Sequence, residues 1–421
     1  MNLATGLIDA AVHDAQAMRR AGPDLLGLAL MDARNRTLGW LAAFEGLHWA
    51  GELVDFDPPD WLAGQAGWFQ ERWIARFVQR ARGSAADPSV PRLPSPEPRA
   101  DAWFDPAAST RSQRWLAPTL PERAALQDYL AASLETTLAL LDKAQPDDAG
   151  LHVFRLALMH EDRLGETLAV LVQALDLSPE RCQPLAARGL WPELPSRSRR
   201  DAMGLPGQTV RLGTEPGGFA PDSEPAAREV QVPEFEIDAQ PVTWAQFAEF
   251  AGDGGYDDSR WWTPAGWAQV EASQRCAPRY VEQMGGGVLA RRLGRLQRLP
   301  LAQAVLHVNA HEAAAWCQWA GRRLPTEAEW ALAAQVASAR GFAWGDVLEW
   351  VGARAQAPSG ADRGPSGPAS LDPLPPAGSP PWRVLRGASA WGSPRLRHLQ
   401  ARRFAAPERD ELFVGFRSCA V

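Results

Sequence analysis

The chain has 421 residues, a length that ordinarily holds two or three domains, and its 46% hydrophobic and 22% charged residues are typical of a globular protein with substantial cores. Its net charge of -7 leaves no basic surface of the kind that binds nucleic acid, so we expect no nucleic-acid partner. Four cysteines lie far apart without a CxxC pair, and no apolar run is long enough to span a bilayer. We therefore expect no zinc site, no membrane segment and a cytoplasmic location.

The first half of the chain is predicted to be a helical bundle. Apolar residues recur there every three or four positions, which is the spacing of amphipathic helices. In the last of these segments the stripe includes Leu156, Met159, Leu164, Leu168 and Leu171. Up-and-down packing is expected for helices at Leu3–Ala21, Pro23–Leu47, Trp61–Arg82, Pro121–Ala144 and Phe154–Leu177.

The pattern changes after a proline-rich stretch in the middle of the chain. Ala186–Gly207 contains Pro192, Pro195 and Pro206 and is predicted to be a linker. Beyond it the segments become short and rich in glycine and proline, as in an irregular α+β domain. We therefore predict a helical domain at residues 1–185, a linker at 186–207 and a second domain at 208–421.

Several motifs, in the same order along the chain, carry a family resemblance. The helical half contains WLAGQAGWFQERW from Trp61 and HEDRLGE from His160, and the second half contains WAGRRLPTEAEW from Trp319, WGDVLEW from Trp344 and GFRSC from Gly415. Together these motifs resemble the ergothioneine and selenoneine synthases, with wording nearest to the selenoneine branch. The resemblance implies an α+β fold, in which a DinB-like helical bundle precedes a formylglycine-generating-enzyme-like domain related to C-type lectins. It also implies an O2-dependent, non-haem iron oxidoreductase that forms a carbon–sulfur or carbon–selenium bond on hercynine.

The metal site implied by the resemblance is incomplete in this chain. The family holds Fe(II) with three histidines where the two domains meet; His160 occupies one position, whereas Gln65 and Leu164 stand at the other two. No residue three or four positions from His160 offers a substitute ligand on the same helix face. Two interpretations of His160 stay open: a remaining iron ligand, or an imidazole hydrogen-bonded to Gln65 or a neighbouring carboxylate. Glu166 is either a group that supports the ligand, as the resemblance implies, or a surface charge.

The substrate side of the implied site is also altered. The family segment Arg-Asn-Phe-Tyr-x-Pro-x-Arg appears here as RRFAAPER at residues 402–409, so Arg403 replaces the asparagine and an alanine replaces the tyrosine. We expect His160, Trp68, Arg403 and Arg409 to border a pocket between the domains that takes a small anionic molecule. An ion pair of Arg409 with Glu408 or Asp410 is the alternative.

Two further features of the second domain follow from the resemblance. Asp346 and Glu349 are candidate ligands for Ca²⁺, which this fold often carries; loop-organising hydrogen bonds are the alternative. The tyrosine that donates a proton in ergothioneine-type enzymes has no counterpart after Tyr280, and its loop corresponds to Ala353–Pro381. Two hypotheses for the function therefore stay open: an enzyme of this family with an altered metal site, or a catalytically silent paralogue that binds a small molecule or a partner protein.

Overall fold

The computed structural model describes residues 10–47, 56–116, 120–354 and 381–421. Within these ranges the first half of the chain is helical, and the second half mixes short strands with helices. The loop predicted over Ala353–Pro381 lies almost entirely outside the described residues. No described helix is both long enough and apolar enough to cross a membrane.

The last four predicted helices of the first half are present in the predicted order, whereas the short helices Ala100–Phe104, Arg111–Arg114 and Pro179–Ala187 are not predicted. A π-helical turn at Glu71–Ala75 extends the helix that begins at Pro59, and a 3₁₀ segment follows at Arg80–Ala85. The described helices are α1 (Ala15–Arg19), α2 (Pro23–Ala42), α3 (Pro59–Gln70), α4 (Ala100–Phe104), α5 (Arg111–Arg114), α6 (Arg123–Leu141), α7 (Asp148–Ala174) and α8 (Pro179–Ala187).

Helix ends differ from the prediction where a capping side chain decides them. The carboxylate of Asp14 accepts a hydrogen bond from the Ala17 N–H at 2.6 Å, so a new helix starts after Asp14 and the predicted first helix is broken. In the same way Asp147 accepts from the Gly150 N–H at 2.7 Å, and α7 begins at Asp148 instead of Phe154. The periodicity marks the buried stripe, whereas the cap marks the end.

The second half is built from small sheets flanked by four helices of nine or ten residues. Among the described residues the strand orders are β1-β4-β13-β8, β11-β10-β9-β12, β5-β6-β7 and the hairpin β2-β3. The helices are α9 (Trp244–Gly252), α10 (Pro264–Ser273), α11 (Ala310–Trp319) and α12 (Glu327–Val336). The strands are β1 (Met203–Leu205), β2 (Gln208–Leu212), β3 (Arg228–Val232), β4 (Phe235–Ile237), β5 (Val281–Met284), β6 (Val288–Arg292), β7 (Arg295–Leu299), β8 (Arg322–Arg323), β9 (Leu348–Arg354), β10 (Arg383–Gly387), β11 (Arg402–Ala405), β12 (Val414–Phe416) and β13 (Cys419–Ala420).

Two strand pairings bear directly on the prediction. Strand β1 lies inside the stretch predicted as linker, yet it pairs antiparallel with β4 and so belongs to the second half. In the other sheet Arg403 pairs with Leu385, and Val414 pairs in parallel with Leu348. This sheet therefore brings the 402–405 and 412–416 segments, which are separate in sequence, to one wall.

The two halves share a continuous apolar core. One cluster of buried side chains includes Trp40 and Leu171 from the bundle together with Trp391 and Phe413 from the second half. Trp391 stacks on Phe413 with ring centroids 4.1 Å apart and an interplanar angle of 19°. Because this core crosses the boundary, the halves form one packed unit in which a site can draw side chains from both.

Candidate functional site

Helices α3 and α7 bring the implied metal positions to one level. The Phe69 ring stacks on His160 with centroids 3.9 Å apart, while Leu62, near the other end of α3, lines the same cavity as Val170. Residue numbers thus rise along one helix as they fall along the other, so the two helices run antiparallel. Since both rise about 1.5 Å per residue, Gln65 and Leu164 each lie one turn from the stacked rings and at the same level as each other.

The side chains of Gln65 and Leu164 make contacts with other parts of the protein. Gln65 is buried and donates its amide N–H to the carbonyl oxygen of Phe104. Leu164 is partly buried and packs against the core that both halves share. A Cβ at Gly64 would lie 2.1 Å from the Phe104 ring, so glycine there permits α4 to approach α3 closely enough for the Gln65 bond.

His160 is a neutral imidazole. Burial, with a contribution from the nearby Arg163 guanidinium, lowers the pKa of His160 to about 3. Its Nδ1 atom is buried and has no hydrogen-bond partner, so this atom does not form the predicted bond to Gln65 or to a neighbouring carboxylate. Within the described part of the chain no group of three His, Cys, Asp or Glu side chains could hold a metal ion. One imidazole, an engaged amide and an aliphatic chain do not fit a three-histidine iron site.

The two carboxylates next to His160 are both bound to arginines. Glu161 accepts from Arg34 Nε at 2.7 Å and from Gln70 Nε2 at 2.9 Å. Asp162 accepts two hydrogen bonds from Arg395 of the second half, at 2.7 and 2.8 Å. These buried pairs use the carboxylate oxygens, so neither residue replaces the missing histidines.

A cavity of about 200 Å³ lies between the two halves. Arg403 forms an ion pair there with Glu166, and Arg409 with Glu411, so both arginines have carboxylate partners. Glu166 is buried and its partner comes from the other half of the chain, which differs from a simple surface charge. The lining residues are Phe56, Asp57, Leu62, Arg111, Glu166, Thr167, Val170, Leu348, Arg403, Arg409, Leu412 and Phe413.

Two residues expected at this cavity do not line it. Trp68 is buried and donates its indole N–H to Asp101 at 2.8 Å, and His160 lies against Phe69 instead. The ion-pair alternative for Arg409 also involves a different residue from the two named in the prediction. Its partner is Glu411, whereas Asp410 binds Arg275 and Arg279.

The carboxylates of the two candidate calcium ligands are bound by arginine side chains. Glu349 is fully buried and accepts from Arg417, at 2.5 and 2.8 Å, and from the Trp330 indole at 3.0 Å. Asp346 accepts two hydrogen bonds from Arg197 at 2.8 and 2.9 Å. These contacts support the structural alternative, in which the carboxylates organise loops.

A buried histidine behind the cavity wall predicts a pH effect. Burial and the Arg292 guanidinium lower the pKa of His307 to about 3, with an opposing contribution from Asp410. An unfolded histidine titrates near 6.5, so below that pH the unfolded state binds the extra proton. Stability from this group is complete above pH 6.5 and falls by up to about 1.4 kcal/mol per pH unit as the pH drops toward 3.

The measurement is urea unfolding between pH 7 and 4.5 for the parent and for His307→Asn. Asparagine tolerates the positive φ of 61° at this position and does not titrate. Other groups contribute equally to both proteins, so the difference between the two slopes is the readout. Equal slopes would show that the pKa of His307 is not lowered in the folded protein.

The structure defines a two-domain α+β protein in which a helical bundle shares its core with a domain of short sheets. Comparisons with known proteins find relatives of this class. Residues 188–373 match the sulfatase-modifying factor enzyme 1-like domain. The hercynine oxygenase of Mycolicibacterium smegmatis is 33% identical over 347 residues, which cover 80% of this chain and 73% of that protein. That of Mycolicibacterium thermoresistibile is 30% identical, with 93% and 94% covered. A formylglycine-generating enzyme of Streptomyces coelicolor is 34% identical but covers only 39% of this chain.

The chain belongs to the hercynine oxygenase family. This confirms the predicted resemblance to ergothioneine-type synthases, and the C-terminal match confirms the predicted fold class. Sequence reasoning missed Phe104, which binds Gln65, and the Asp162–Arg395 pair, which joins α7 to the second half. Nothing in the local pattern marked them, because each acts on a residue that is distant along the chain.

Proposed function

We propose that this chain is a member of the hercynine oxygenase family that binds a ligand between its two halves without carrying out the iron-dependent step. One observation carries the proposal. The family resemblance implies a histidine at each of three positions, and here these positions hold Gln65, Leu164 and His160. Iron(II) in such a centre needs several nitrogen or oxygen ligands with open positions beside them. The amide of Gln65 is already bonded to Phe104, and Leu164 has no ligand atom.

The cavity supports the binding part of the proposal. It lies where ligand pockets often occur, between two domains, which we place at residues 1–185 and from β1 onward. The guanidinium groups of Arg403 and Arg409 present planar forks that match carboxylate or phosphate oxygens. Glu166 and Glu411 form ion pairs with these guanidinium groups, so an anionic ligand competes with the two carboxylates for them.

The iron content of the purified protein tests the proposal most directly. After anaerobic reconstitution with Fe(II) and desalting, we expect well under one iron atom per chain, because one imidazole cannot match three. Elemental analysis gives the ratio, and the Gln65→His, Leu164→His double variant is the matched comparison. Stoichiometric iron that resists a chelator in the parent protein would contradict the proposal.

A second candidate, an enzyme with an altered metal site, is favoured by one specific observation. The Nδ1 atom of His160 is buried, belongs to a neutral imidazole and has no protein partner, so it is free to act as a ligand. This candidate predicts a metal signal that disappears in His160→Phe, a variant that keeps an aromatic ring against Phe69. The proposed silent member predicts no metal signal in either protein.

Ligand class is tested by calorimetry with succinate and with hercynine. We expect Arg409→Ala to weaken succinate binding at least about tenfold, since a charge-assisted bidentate contact is lost. Arg403→Asn restores the residue implied by the family and leaves Glu166 unpaired, so hercynine, which carries a trimethylammonium group, should bind more tightly than to the parent. Arg260→Ala, on an exposed arginine outside the cavity lining, is the control. Tight hercynine binding by the parent would contradict the anionic preference.

A further inference from the structure

A small void lies at the seam between the halves, on a different side of α7 from the family site. Thr37 of α2 and Asp162 of α7 line it from the bundle, and Trp391 and Ser393 line it from the second half. Its volume of about 10 Å³ is close to that of one water-sized sphere. The void therefore has room for a single small molecule and for nothing larger.

Three polar atoms around this void have no partner within the protein. They are Thr37 Oγ1, Trp391 Nε1 and Ser393 Oγ, and their residues are only 1%, 2% and 4% exposed. Buried hydroxyl and indole groups are almost always hydrogen-bonded, because leaving them unbonded forfeits their hydration. Three unpartnered atoms around one void indicate a shared partner rather than three separate defects.

The charges around the void decide which molecule fits. The carboxylates of Glu161 and Asp162 line it and disfavour an anion. The indole N–H of Trp391 can only donate, and the guanidinium of Arg36 also lines the void, so a cation is disfavoured as well. Water accepts from the indole and still has protons to donate.

We propose that one ordered water occupies this void and bridges Thr37, Trp391 and Ser393, joining α2 to the segment that follows β10. The water would also fix the Trp391 ring, which stacks on Phe413 of the cavity wall. The Trp391–Phe413 contact therefore connects the water site to the wall of the cavity. The water site does not depend on the proposed function.

Two substitutions give results of opposite sign for a wet and a dry void. If the water is present, Thr37→Val and Ser393→Ala each remove one of its hydrogen bonds, and the melting temperature should fall by about 1 °C. If the void is dry, each substitution removes an unsatisfied buried hydroxyl, and the melting temperature should stay level or rise. Ser223→Ala is the matched control, because Ser223 Oγ is also buried and unpartnered but does not line this void.

A crystal structure of the full chain supplies the second measurement. The expected result is one density peak within hydrogen-bond distance of all three atoms and without anomalous signal in crystals grown with bromide. A bromide peak would identify an anion, and an empty void together with stabilised variants would show a dry seam. Either result would overturn the proposal.

Discussion

The double variant Gln65→His, Leu164→His is expected to melt below the parent without metal and to recover when Fe(II) is added. Leu164 packs against the core and Gln65 bonds to Phe104, so both substitutions cost stability, roughly 2–5 kcal/mol if the lost core contacts are uncompensated. In the antiparallel pair of α3 and α7, positions 65 and 164 each lie one turn from the stacked Phe69 and His160 rings, so we expect the two new imidazoles to approach His160. Metal that binds only the folded state returns about 2.7 kcal/mol at a concentration of one hundred times Kd.

Two further variants separate metal binding from general effects of the substitutions. Leu164→His alone should show a smaller metal-dependent shift, and the double variant with His160→Ala should lose most of the shift. Thermal melting with and without Fe(II) is the measurement. We do not expect full synthase activity, because the tyrosine and asparagine implied by the family resemblance would still be absent. No metal-dependent shift in the double variant would mean that the three positions do not converge.

Arg395→Met is expected to destabilise the protein by about 3–5 kcal/mol, because it leaves a buried carboxylate without its partner. Arg395 lies in the second half, and its guanidinium binds Asp162 of α7 at two points and Asp32 of α2 at 2.7 Å. The side chains of Arg395 and Asp162 are each only 2% exposed. The remaining carboxylate of Asp162 would have to be desolvated alone or take up a proton.

The control for this prediction is an ion pair on the surface. Arg211 and Glu215 pair at 2.5 Å with side chains more than half exposed, so solvent screens the pair and Arg211→Met should change stability far less than Arg395→Met. Urea unfolding of both variants at one pH gives the comparison. Similar losses for the two variants would show that the Arg395 cluster does not hold the halves together.

How far the sequence predicts this fold depends on the range of the interaction involved. The apolar stripe predicts helix α7 because residues three and four apart share a face, and this relation is local. The stripe does not predict the first residue of the helix, because the Asp147 cap lies outside it. Strand β1 falls within the predicted linker for the opposite reason. Its three residues carry little pattern, and only pairing with β4, some thirty residues on, makes them a strand.

The difference between local patterns and long-range contacts also explains which features of the candidate site could be predicted. The substitutions at positions 65 and 164 could be read from the motifs alone, and they already removed two of three imidazoles. The cavity residues Arg403 and Arg409 were also found by motif, since both lie in one segment. The prediction that Trp68 borders the cavity is wrong because the motif gives its position on α3 but not the direction of its side chain. Its indole N–H donates to Asp101 and not toward the cavity.

Motifs and periodicity are enough to establish the family, the order of a helical half and a second half, and the chemical types at the implied metal positions. The contacts that those side chains make follow from the three-dimensional packing. Gln65 is engaged by a carbonyl 39 residues away, Glu166 by Arg403 across the seam, and Asp162 by an arginine 233 residues away. Motifs and periodicity report on residues that are neighbours along the chain, whereas hydrogen bonds and ion pairs between the halves depend on how packing brings distant segments together.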